Sequence, residues 1–199
     1  MFKIKYRATG EVEIYKVRLI AKGYSQQKGL NFTETFSPVA KMVIVRSVIV
    51  LAASCGLYIF QMDVHNAFLQ GDLLEKVYMQ IPEGFANQGE KHMVCKLHKF
   101  LYGLKQAPRQ WNLKLTEALI DMGFLQSHYD YSLFTKRVGK ELLVILVYVD
   151  DLLITGSNLN LIQQVRKYLQ YKFKMKDLGE LKYFLGIEFS RNVDGILMN

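Results

Sequence analysis

The chain predicts an α+β fold built on a ferredoxin-like βαββαβ sheet with helices on one face. Three observations carry that prediction. Residues 142–149 form a continuous apolar, β-branched run that meets Asp150-Asp151 and resumes at 152–156, which reads as a buried strand entering a tight strand-to-strand turn. A second short apolar segment, 57–60, also leads to an acid, Asp63. From Leu57 onward, two amphipathic helical patterns separate the strands, in the order strand, helix, strand, strand, helix, strand.

The elements follow in order. Residues 1–7 alternate charged and apolar side chains and read as a strand entered partway, turned at Thr9-Gly10-Glu11. Residues 14–22 alternate apolar and basic, so a strand there projects Lys16, Arg18 and Lys22 from one face of a basic β-ribbon. Residues 42–54 read as a buried helix closed by Gly56. Residues 76–81 alternate with period two and end at Pro82, and 84–91 form a polar loop, together an insertion between core elements. Pro108 opens a helix whose apolar stripe is Trp111, Leu115, Ala118, Leu119 and Met122, stopped by Gly123. Two strands, 131–137 and 141–149, turn at Gly139. Asn158 caps a helix with Leu159, Ile162, Val165 and Leu169 on its apolar face. Lys172, Lys174 and Lys176 then lead into an alternating strand at 181–189, and Asp194-Gly195 signals a hairpin whose returning arm is 196–199.

At 199 residues the chain suits one domain with a real core. Cys55 and Cys95 have no metal-site spacing and imply no disulfide framework, so a reducing, intracellular setting is expected. His65, His92, His98 and His128 form no spaced cluster. No apolar stretch reaches the roughly 18–20 residues that span a bilayer, and the start does not resemble a signal peptide, so no membrane partner is expected. A formal charge of +8 favours polyanionic partners.

By itself the Asp150-Asp151 pair has two readings. Aspartates are common in solvated turns. With Asp63 as a third carboxylate, the set instead suits two divalent cations held roughly 3.5–4 Å apart for phosphoryl transfer.

Several blocks then decide between these readings. Residues 15–23 (YKVRLIAKG), 36–41 (FSPVAK), 61–69 (QMDVHNAFL), 101–111 (LYGLKQAPRQW), 148–151 (YVDD) and 181–186 (LKYFLG) occur in an order that resembles the reverse transcriptase of copia-type LTR retrotransposons, over essentially the whole chain. The resemblance implies fingers at 1–56 and about 72–105, and a palm at about 57–71 and 106–190. It also implies a truncated hairpin at 191–199 pointing to a thumb that these residues lack. Asp63, Asp150 and Asp151 match the catalytic carboxylates, and the Val64 carbonyl matches a backbone metal ligand. The metals implied are two Mg²⁺ ions, with Mn²⁺ as a substitute.

Phe68 resembles the aromatic gate that excludes a 2′-hydroxyl, and Tyr102, Gly103 and Lys105 the segment meeting nucleotide and template. Lys16, Arg18 and Lys22 fall in the ribbon that closes on the triphosphate. Phe184, Leu185 and Gly186 resemble the primer grip, and Lys174 or Lys176 a basic residue near the leaving pyrophosphate. Partners implied are an RNA or DNA template with its primer, deoxynucleoside triphosphates and the rest of a Pol polyprotein, in a cytoplasmic virus-like particle. Without a thumb, the isolated chain is expected to polymerise weakly. The other reading left open is a catalytically inactive, transposon-derived remnant with at most nucleic-acid binding. An RNA-recognition module is set aside, because its central strands carry aromatic and basic motifs where this chain has acids.

Overall fold

The computed structural model describes residues 2–17, 19–73, 75–82, 84–85, 93–192 and 195–198, with the backbone alone at 2, 3, 16 and 17. Arg18, His92 and Asp194 lie outside the described residues. In chain order the elements are β1 (Phe2–Tyr6), β2 (Val12–Val17), α1 (Met42–Ser54), β3 (Tyr58–Val64), α2 (Ala67–Gln70), β4 (Tyr78–Gln80), β5 (Val94–Lys96) and α3 (Ala107–Asp121). They continue with β6 (Leu125–Gln126), β7 (Leu133–Val138), β8 (Glu141–Tyr148), β9 (Asp151–Gly156), α4 (Leu159–Lys172), β10 (Met175–Glu180), β11 (Tyr183–Phe184), β12 (Ile187–Asn192) and β13 (Gly195–Met198). The fold is mixed α and β with several antiparallel sheets. Contacts divide it into two compact units, Met1–Phe36 with Phe68–Trp111, and Ser37–Ala67 with Asn112–Asn199.

In the first unit, β1 and β2 form an antiparallel ribbon turned by Gly10 at φ 83°, where Arg7 N–H donates to Glu11 O. The strand expected over 14–22 ends at Val17. Beyond it the chain makes a bridge from Ile20 to Tyr102 and a 3₁₀ turn at Gly23–Ser25, which carries Lys22 off the ribbon. This unit's core gathers Ala21, Val77, Phe100, Leu104 and Ala107, with Phe68 and Leu101 packed against it.

The second unit is organised by a six-stranded antiparallel sheet in the order β10-β3-β9-β8-β7-β6. The residues after the acid pair form a strand of their own, β9, between β3 and β8; the sequence order counted only 131–137 and 141–149 as its middle strands. Its central place explains its composition, since Leu152, Leu153, Ile154 and Thr155 are fully buried. Side-chain alternation puts Ile59, Val144, Leu146 and Leu153 on the face that packs against Val45, Val48, Ile49 and Ala52 of α1, with Phe184 and Phe189. Phe60 faces the other way, where the Arg166 guanidinium of α4 lies 4.1 Å from its ring centroid. The α1 and α4 helices thus lie on opposite faces of this sheet. Residues 42–54, grouped in sequence with 1–56, belong to the second unit because that helix buries its stripe on this sheet.

The Asn158 side chain caps α4 by accepting from Asn160 N–H at 3.0 Å and Leu161 N–H at 3.2 Å. Arg166 pairs with Asp177 and so pins α4 to the edge strand β10. The single strand expected at 181–189 is broken at Leu185 and Gly186, whose φ values of 53° and 82° make a two-residue hairpin turn. The last hairpin, β12 with β13, forms as expected.

Candidate functional site

The register of β3 and β9 sets Asp63 directly opposite Asp151. Asp150 stands one residue earlier, in the two-residue turn closing β8 onto β9, and its carbonyl accepts Val64 N–H at 2.8 Å. Val149, the other turn residue, has φ 57°, an uncommon region for a β-branched side chain. Asp63 and Asp151 share the sheet face of Ile59 and Leu153, at the polar end of that apolar surface. Burial pushes the Asp151 carboxyl up to about 6, the charges of Asp150 and Asp63 push it the same way, and a hydrogen bond from Gln61 opposes them. That bond is long, 3.5 Å from Gln61 Nε2 to Asp151 Oδ1. Asp150 and Asp63 are therefore each close enough to Asp151 to disfavour its charge. Among the described residues, no three His, Cys, Asp or Glu side chains are already gathered so as to hold a metal ion.

Cations flank the acids on the edge strand. Lys176 of β10 is the cross-strand partner of Asp63 and is exposed, while the Lys174 carbonyl accepts His65 N–H at 2.8 Å. His65 is exposed, its Nε2 2.9 Å from Asn66 Nδ2.

A different set of candidates lies in the first unit. The rings of Phe68 and Tyr102 are 5.0 Å apart and tilted by 54°, with Phe68 packed on the Phe100 cluster. Gly103 has φ 92°, and a Cβ there would lie 2.2 Å from Ala21 O; a Cβ on Gly23 would lie 1.8 Å from Gly103 O. Gly103 is thus required by a backbone crossing inside the protein. Lys105 donates its main-chain N–H to Gln26 Oε1 at 2.9 Å and its Nζ to the Gln26 carbonyl at 3.0 Å, and its Nζ lies 5.4 Å over the Phe32 ring. Lys22 is exposed, Lys16 is described by its backbone, and Arg18 lies outside the described residues.

Of the final group, Phe184 is 1% exposed and belongs to the core around α1, whereas Leu185 and Gly186 form the turn beside it. The acids, with Val64 and Lys176, come together in the second unit; Phe68, Tyr102, Gly103 and Lys105 cluster in the first. Sequence reading missed Gln61, Gly23, Gln26 and Gln106. Gln26 meets Gln106 across 80 residues, and no local pattern marks such a pair.

The family model described as reverse transcriptase (RNA-dependent DNA polymerase) matches residues 1–199. The chain is 47% identical over 196 residues to the Retrovirus-related Pol polyprotein from transposon RE1 of Arabidopsis thaliana, covering 98% of this chain and 13% of that one. To the Retrovirus-related Pol polyprotein from transposon TNT 1-94 of Nicotiana tabacum it is 45% identical over 192 residues, 96% of this chain and 14% of that one. It therefore spans only 13–14% of the length of these relatives. No solved structure matches it. A whole-chain family match and this identity to transposon polyproteins lead to one conclusion: the chain belongs to the reverse transcriptase (RNA-dependent DNA polymerase) family, in its copia-type transposon line.

Proposed function

We propose that this chain is the RNA-directed DNA polymerase segment of a copia-type Pol polyprotein, joining deoxynucleotides to a primer 3′-hydroxyl. The observation that carries the reading is the β3–β9 register, which sets Asp63 against Asp151 with Asp150 in the adjoining turn. The strand order β10-β3-β9-β8, with α4 joining β9 to β10, supports reading the second unit as a ferredoxin-like palm. The first unit, with its ribbon, is then the fingers.

The three carboxylates are hard oxygen donors whose mutual repulsion a divalent cation would relieve, so the donor set fits Mg²⁺. Asp63, Asp150, Asp151 and the Val64 carbonyl would hold the metal, which would supply activation of the primer hydroxyl and neutralisation of charge on the triphosphate. In the second unit, Lys176, beside Asp63, would meet charge building on the pyrophosphate. In the first unit, Lys105 and Lys22 would offer donors to phosphate oxygens. Phe68 closes the space a 2′-hydroxyl would need. Template and primer are held through the chain's net positive charge.

Mn²⁺ titration followed by electron paramagnetic resonance tests the site directly. Saturable binding to the native chain, lost in Asp63→Asn and Asp150→Asn, is expected; equal binding by all three overturns the metal assignment. Primer extension on a homopolymer template tests the activity. Incorporation no greater than that of Asp150→Asn would leave the inactive-remnant reading.

A further inference from the structure

In the first unit, residues 20–32 and 102–106 are joined by more than packing. Ala21 N–H donates to the Tyr102 carbonyl at 2.8 Å, and Gly23 and Gly103 bring the two backbones into contact. Those contacts set a distance but give Lys105 no direction. Gln26 supplies it. Its Oε1 accepts Lys105 N–H at 2.9 Å, its carbonyl accepts Lys105 Nζ at 3.0 Å, and its Nε2 donates to Gln106 Oε1 at 3.0 Å. Gln106 is fully buried, and its Nε2 donates onward to Asn31 O at 3.3 Å, so its amide is committed at both ends.

We propose that Gln26 is a positioning residue for nucleotide binding, acting through Lys105 and Gln106; the inference rests on reading 102–105 as nucleotide-binding. A lysine ammonium rides on a flexible four-carbon stem and loses entropy when it meets a phosphate. One hydrogen bond to Gln26 O holds the stem in place and leaves two of the three ammonium donors for a ligand. The anchored main-chain N–H fixes where that stem starts. Preorganisation of this kind raises affinity without adding a ligand contact.

The test titrates Mg²⁺·dATP into the native chain, Gln26→Ala, Lys105→Ala and the double variant by calorimetry, with thermal melts to establish the folded fraction. Gln26→Ala should weaken binding about tenfold, the effect of losing one or two such hydrogen bonds. In the Lys105→Ala background the same change should add much less, because its main route of action is gone. Mn²⁺ binding at the carboxylates should not change. If Lys105→Ala weakens binding and Gln26→Ala does not, or if the two effects simply add, the positioning role is overturned while the nucleotide reading stands. If the native chain does not bind dATP, or Lys105→Ala binds as it does, that reading fails and the inference with it.

Discussion

At Asp151, burial and two neighbouring acids hold the proton until about pH 6, against an ordinary value of 3.8. A folded-state value above the unfolded one means that folding disfavours the charged form. The associated stability is fully present below about pH 4 and is lost as pH rises to 6 and beyond. The full shift would correspond to about 3 kcal/mol, and solvent screening of a half-buried group reduces that to about 1 kcal/mol. Asp151→Asn should therefore be about 1 kcal/mol more stable than the native chain at pH 7 in chelator, by urea titration, and no more stable at pH 4. A difference that does not change with pH would remove the electrostatic account. Val149 holds φ 57° beside the acids, a conformation that costs about 1–3 kcal/mol for a β-branched residue. Val149→Gly should cost less than about 0.5 kcal/mol despite the flexibility glycine adds, and a loss above about 2 kcal/mol would show that the turn carries no strain.

Among the connecting elements, the crossing of residues 21–23 over 103 is the least tolerant. Gly103 combines φ 92° with a Cβ position 2.2 Å from Ala21 O, and a Cβ added at Gly23 would lie 1.8 Å from Gly103 O. Gly103→Ala and Gly23→Ala should each cost about 3 kcal/mol or more, in the range of buried strain and overpacking. Gly186 also has a positive φ, 82°, but nothing lies within 4 Å of its Cβ position. There the same substitution should cost only about 1 kcal/mol. Chemical denaturation of the three variants gives the comparison, and equal losses for Gly103→Ala and Gly186→Ala, with none for Gly23→Ala, would mean that φ alone, not the crossing, sets the cost. Hairpin turns such as Gly10 were legible in sequence, because turn chemistry is local. The break at Leu185-Gly186 was not, since leucine is a poor turn residue and its partly buried side chain packs on the α1 cluster.

On the scale of the whole molecule, a formal charge of +8 should make nucleic-acid binding strongly salt-dependent. If about five phosphates are neutralised, affinity for an RNA–DNA hybrid falls with a log–log salt slope of about −4 to −5. Fluorescence anisotropy between 50 and 200 mM salt measures it, and a flat response would exclude backbone-dominated binding. Among the described residues no helix is long and apolar enough to cross a membrane.

The sequence by itself determined the family, the helices at 42–54, 107–121 and 159–172, and the buried strands, and it singled out Asp63, Asp150 and Asp151 as candidates. Each of these is written in local periodicity, in turn and cap residues, or in short blocks read in order. Only the tertiary structure decided that β9 lies between β3 and β8 and that Asp63 faces Asp151 rather than a neighbour one residue away, because register depends on strands far apart in sequence. It also decided that Phe184 is core, that α1 belongs with the six-stranded sheet, and that Gly103 and Lys105 are held by Gly23 and Gln26. Those outcomes come from packing and hydrogen bonds between segments distant in sequence, 80 residues in the case of Gln26 and Gln106, which no window along the chain contains.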